Sequence, residues 1–159
     1  TYGGFAWGET MKAKCIVLWG HGASQSNPGL FGQISMAKKR GARLIVVDPR
    51  RIREAEMADM WLPIRPGTDV ALMLGWLRII IEEDLYDHEF VAKWTLGFDD
   101  VKAEAAKWTP ERTAEVTGVP AETIREVARA YAETGVDFLA VGALTHSATS
   151  LDLSLKVVK

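Results

Sequence analysis

Two aspartates stand just beyond short apolar runs, in Leu44-Ile-Val-Val-Asp48-Pro49-Arg50 and in Leu62-Pro-Ile-Arg65-Pro66-Gly67-Thr68-Asp69. Open parallel sheets bind nucleotides just outside the carboxyl ends of their strands, and these words put two carboxylates and several backbone turns there. The chemistry implied is recognition of a nucleotide; the words define a site and not yet a reaction. Arg50, Arg51, Arg53 and Arg65 could neutralise a phosphate, and a solvated face is the alternative for such a cluster. His146 lies in a turn rich in Ser and Thr, and His21 sits between Gly20 and Gly22, but neither has a general-acid partner in sight. His88, beside Glu89, reads as solvated.

The elements that must position these groups follow from apolar periodicity. Cys15-Ile-Val-Leu-Trp19, Leu44–Val47 and Met60–Ile64 are short apolar runs of the kind found in strands covered on both faces. A Gly, Ser and Asn-rich stretch from Gly20 to Gly29, with Asn27-Pro28 as a turn, leads to a helix near Leu30–Lys39 that ends at Gly41. Thr68 or Asp69 caps a long helix reaching about Leu85, with Val70, Leu74, Leu77 and Ile81 as its apolar stripe. Trp76 and its neighbours add apolar surface beyond one stripe, which implies burial under later helices or a face open to a homodimer. Helices follow near Asp87–Trp94, Asp99–Trp108, Pro110–Thr117 and Pro120–Glu133, then a strand at Phe138–Val141 and a mostly helical end at Thr145–Val158. The expected fold is α/β: a Rossmann-like, doubly wound parallel sheet of about four strands in the order 3-2-1-4, with helices on both faces.

The chain has 159 residues, a net charge of −2 and 48% hydrophobic content, which suits one α/β domain spanning 1–159. No basic stripe of the kind nucleic-acid binders carry is present. The single cysteine, Cys15, rules out a disulfide framework or a Cys-rich metal centre and reads as a buried strand thiol. The apolar stretch Val70–Ile81 is broken by Gly75 and Arg78 and is too short to span a bilayer, so a soluble chain is expected. Six tryptophans and a start at Thr1 suggest a piece excised from something larger.

From about residue 14 to 134 the chain resembles the molybdopterin guanine dinucleotide oxidoreductases, the dimethyl sulfoxide reductase family. The resemblance is carried by Leu18-Trp19-Gly20, Ser26-Asn27-Pro28, Val47-Asp48-Pro49-Arg50, Ala58-Asp59 and Arg65-Pro66-Gly67-Thr68-Asp69. It implies that Asp69 accepts hydrogen bonds from a guanine edge, a charge-assisted bidentate contact. It also implies that Asp48 sits near the ribose and that the loop of Gly20, Gly22, Ser26 and Asn27 lines the pyrophosphate. Gly22 stands where that family usually has Asn and Ile52 where it has Thr, which implies weakened binding of a guanine nucleotide or of the dinucleotide cofactor.

The tail, Gly135 to Lys156, resembles the carboxyl end of nicotinate-nucleotide pyrophosphorylase, a barrel phosphoribosyltransferase. There Gly142, Ala143, Thr145, His146 and Ser147 would donate to phosphate as helix starts do. Two family signatures meeting near 134–135 suggest an engineered chimera. The expected function is a non-catalytic nucleotide-binding scaffold, not an enzyme on its own, with no required cofactor and no metal. A fragment of a molybdopterin-dependent oxidoreductase, active only with its other domains, is the second reading.

Overall fold

A computed structural model describes residues 10–133 and 139–141. The helix expected at 145–158 lies outside the described residues. A single 3-10 turn, Thr10–Lys12, precedes β1 (Cys15–Trp19), all five of whose residues are buried. β2 (Arg43–Val47) pairs with β1 in parallel, from Cys15 opposite Arg43 to Trp19 opposite Val47. β3 (Met60–Leu62) continues the sheet beyond β2, and β4 (Leu139–Val141) lies beside β1, giving the order β3-β2-β1-β4. An α/β chain with a small parallel sheet is thus what the apolar runs encode.

Alternation along the strands divides the core into two layers. Cys15, Val17, Trp19, Ile45 and Val47 pack with Leu62, Leu72, Trp76, Ile80, Ile124 and Val127. Ile16, Leu18, Leu44 and Val46 pack on the other face with Ala23, Leu30, Ile34 and Ala55. The second layer comes from α1 (Ala23–Ser26), α2 (Pro28–Lys39) and α3 (Arg53–Met57). The first comes chiefly from α4 (Asp69–Glu82) and α8 (Ala121–Glu133), with α5 (His88–Trp94), α6 (Phe98–Ala105) and α7 (Pro110–Thr117) between them in sequence.

Three sequence expectations change. Asn27-Pro28 is a helix start rather than a turn: Asn27 Oδ1 accepts from Leu30 N at 3.1 Å and Pro28 occupies the first turn, where its missing N–H costs nothing. α3 went unread because Arg53, Glu54 and Glu56 look like solvated loop; Glu54 is in fact fully buried. The buried face of α4 is Leu72, Trp76, Ile79 and Ile80, while Val70 is 61% exposed. The elements packed against α4 set which face is buried, and Trp76, at 5% exposure, is covered rather than open to a second copy. Its cover includes Tyr131 of α8, whose ring lies 6.0 Å from that of Trp76 and whose phenol burial pushes up to about 12.

α4 meets α7 at Gly75, where an added Cβ would lie 2.6 Å from Thr113 Oγ1 and 3.0 Å from Thr113 Cβ. Thr113 is fully buried and stiff at χ1. Gly75→Ala gains about 1 kcal/mol of helix propensity but meets an overpacking cost of about 1–3 kcal/mol. A net loss in urea-unfolding stability is expected, and Thr113→Ala in the same chain should reverse it.

Asp59, from the Ala58-Asp59 word, works at the amino edge of the sheet. Its carboxylate accepts from Leu44 N at 2.7 Å and from Lys38 Nζ at 2.6 Å. Partial burial would raise its pKa, but the Leu44 N–H and the Lys38 ammonium outweigh that and hold it below its ordinary 3.8. A depressed folded-state pKa stabilises the fold above the unfolded value, and that contribution disappears as pH falls through the folded value. Urea midpoints measured from pH 6 to pH 3 should therefore fall less steeply in Asp59→Asn than in the parent.

Candidate functional site

The loops leaving β1, β2 and β3 gather along one edge of the sheet. Gly20 follows β1 with φ of +58°, a conformation open to glycine, and its N–H donates to Val47 O at 2.8 Å. The next turn forms α1, where Ser26 Oγ donates to Gly22 O at 3.0 Å. A Cβ added at Gly22 would meet nothing within 4 Å, so the backbone there borders open space. His21 Nε2 is buried with no hydrogen-bond partner among the described residues.

After β2, Asp48 is 2% exposed and locked by its own turn. Its Oδ1 accepts from Arg50 N at 2.8 Å, and its backbone O accepts from Trp61 Nε1 at 2.8 Å. Pro49 is exposed, and the largely exposed Arg50 side chain comes within 3.6 Å of Asp48 Oδ1. Asp48 thus shapes the turn that presents Pro49 and Arg50.

The third loop carries the least expected contact. Thr68 is the N-cap residue of α4 but makes no side-chain cap; its hydroxyl donates to Arg65 O at 2.7 Å. Asp69 does not cap either, since its Oδ1 accepts from the indole Nε1 of Trp19 at 2.7 Å. Trp19 is 1% exposed and Asp69 is half-buried. Asp69 Oδ2 has no partner among the described residues, at the positive end of a 14-residue helix that favours negative charge. Gly67, at φ +81°, turns the chain into this helix.

The arginines part ways. Arg65 Nη1 donates to Glu115 O and to Val116 O, at 2.6 and 3.2 Å, so it closes the end of α7 rather than facing the crevice. Arg51 lies 5.9 Å from the centre of the Trp61 ring and Arg53 4.9 Å from that of Phe31. Arg50 is the member of the cluster left beside the loops. His88 is exposed and 2.8 Å from Asp84, in keeping with a solvated role. Gly142, Ala143, Thr145, His146 and Ser147 lie outside the described residues.

Two contributors were not legible in the sequence. Trp19 read as a strand residue and as part of the Leu18-Trp19-Gly20 family word, with no contact to Asp69 foreseen. Glu54 accepts from Ser24 N, tying α3 to α1 beneath the first loop, and its Oε2 has no partner among the described residues; nothing in Arg53-Glu54-Ala55 signals burial. Among the described residues no cluster of His, Cys, Asp and Glu could hold a metal ion, and no helix is long and apolar enough to cross a membrane.

A parallel α/β sheet with glycine-rich and acidic loops at its carboxyl edge is the class of protein defined so far. Residues 6–148 match the Molybdopterin oxidoreductase family, and the chain belongs to that family. It is 42% identical over 133 residues to acetylene hydratase of Syntrophotalea acetylenica, covering 83% of this chain and 18% of that protein. It is 34% identical over 170 aligned positions to dimethyl sulfoxide reductase DmsA of Escherichia coli (strain K12), covering 89% of this chain and 21% of that one. The solved structure of acetylene hydratase from Pelobacter acetylenicus superposes with a TM-score of 0.70 at 43% identity, over 77% of this chain and 17% of that chain. The chain therefore spans about a fifth of the length of these relatives.

Two expectations are revised by these matches. The family match runs unbroken through 134–135, so the tail's phosphoribosyltransferase resemblance and a chimeric junction find no support. A stretch of about 25 residues is too short to identify a parent fold. The non-enzyme reading is overturned, because the relatives are a hydratase and a reductase and this chain corresponds to part of such an enzyme.

Proposed function

We propose that the carboxyl-edge loops bind the guanosine end of a molybdopterin guanine dinucleotide within a molybdopterin-dependent enzyme. The observation that carries this reading is the Asp69 carboxylate, fixed by Trp19 through Oδ1 and, among the described residues, unpartnered at Oδ2, on the first turn of α4. Guanine presents a ring N–H and an exocyclic N–H side by side, the donor pair a carboxylate accepts best. The family membership makes this cofactor the expected ligand, where the sequence had offered it only as a weak one.

The residues present suit such a group. Gly22 leaves open space on the first loop, His21 Nε2 is a buried polar atom with no partner among the described residues, and Arg50, 76% exposed and paired loosely with Asp48 at 3.6 Å, puts a cation beside the second turn. In this reading Gly20, Gly22, Ser26 and Asn27 border the pyrophosphate and Asp48 holds the turn next to the ribose. Gly67 and Thr68 set the entry to α4, and Arg65 braces that entry from behind by its bonds to α7. The bound cofactor supplies the metal-centred chemistry; the residues named here bind and orient it. The sheet is read as a Rossmann-like, doubly wound layer within one α/β domain over 1–159, its crevice at the carboxyl edge. The whole enzyme would carry out hydration or oxidation–reduction, the reaction classes of its relatives.

Titration of the chain with guanosine diphosphate, followed by amide chemical shifts, tests the binding site. Shifts at Gly20–Gly22 and Asp69 are expected at millimolar ligand, and their absence would sink the proposal. Pterin and metal analysis of the longer enzyme from a molybdenum-competent host tests the cofactor assignment separately.

A further inference from the structure

We infer that Trp19 is the positioning residue through which this site distinguishes purines, a role that rests on the binding reading just given. The indole and Asp69 are 50 residues apart in sequence and 2.7 Å apart in space. Trp19 closes β1, is 1% exposed, and meets Trp76 edge-on with ring centres 5.1 Å apart and planes at 67°. Trp76 in turn lies against Tyr131, so the indole is packed from the α4 side and cannot swing. Its N–H direction is therefore fixed by the core, and it holds Asp69 Oδ1 in one place.

An aspartate on an exposed first helical turn ordinarily samples several rotamers, and ordering it on binding costs affinity. Here the core has already ordered it. Oδ1 keeps a second lone pair beyond the one used by the indole, and Oδ2 has no partner among the described residues, so two acceptors face a ligand with a set spacing. A base with two adjacent N–H donors engages both. Hypoxanthine, which lacks the exocyclic amine, engages one. Adenine sets a ring acceptor against the carboxylate and is rejected. Selectivity for the two-donor edge thus depends on a residue that touches no ligand.

Calorimetric titration of the full chain with guanosine and inosine diphosphates, compared across the parent, Trp19→Phe and Trp76→Phe, separates this role from simple packing. The parent should favour the guanosine ligand by about tenfold, the value of one charge-assisted hydrogen bond. In Trp19→Phe the preference should collapse toward parity. Trp76→Phe perturbs the same aromatic cluster without removing a bond to Asp69 and should keep it. Retained preference in Trp19→Phe, or equal loss in both variants, overturns the inference while leaving the binding reading intact. Failure of the parent to bind either nucleotide overturns both.

Should Trp19→Phe not fold, the indole N–H resonance of Trp19 in the parent supplies the answer. It should move with guanosine diphosphate and not with adenosine diphosphate. A stationary resonance in the guanosine-bound chain overturns the inference.

Discussion

Replacing Trp76 by alanine is expected to lower the unfolding free energy by about 3–5 kcal/mol, the loss typical of deleting a large buried aromatic. Trp76 is 5% exposed and packs with Trp19 of the sheet and Tyr131 of α8, so its removal opens a void where three elements meet. The surroundings are too interlocked to collapse into it, because Gly75 beside it already lets α7 approach α4 to contact. Trp76→Phe should behave differently. The indole Nε1 is buried without a partner among the described residues, so the substitution removes an unsatisfied donor along with some volume. A change of about 1 kcal/mol or less is expected for phenylalanine. Urea unfolding of both variants checks the pair, and similar losses for the two would show that Nε1 is hydrogen-bonded in solution.

Asp69→Asn should weaken guanosine diphosphate binding by about 10- to 100-fold, equivalent to about 1.5–3 kcal/mol for a hydrogen bond to a charged group. The fold should survive, since the asparagine amide oxygen can still accept from the Trp19 indole across the same 2.7 Å gap. What the variant presents at the second position is an amide N–H, which opposes a guanine donor instead of receiving it. Affinity by calorimetry and stability by urea should therefore separate: one falls sharply while the other moves little. A parallel fall in stability would assign Asp69 to the scaffold.

The strands and most helices were legible because each is encoded locally. Continuous apolar runs at Cys15–Trp19 and Leu44–Val47 admit little besides a strand covered on both faces, and Thr109-Pro110 marks the start of α7 through the Thr109 cap on Arg112 N. α3 was missed because burial of Glu54 depends on α1 lying across it to donate Ser24 N, a contact with no trace in the flanking charges. The α4 stripe was set on the wrong face because an apolar surplus around the helix left its phase open. The neighbours Tyr131 and Thr113 decide it.

The family words put Asp48, Asp69 and the glycine loop together, and in sequence the arginines beside them look equivalent. Tertiary structure separated them: Arg65 serves α7, Arg51 and Arg53 lie on aromatic rings, and Arg50 stays beside the crevice. By itself the sequence determined the α/β class of fold and carried the words of the molybdopterin oxidoreductase family, since backbone propensity, apolar period and turn chemistry are local properties. Only the tertiary structure decided which atom of Asp69 remains available. That depends on an indole delivered from 50 residues away by a different strand, and side-chain direction across such a distance is set by packing alone.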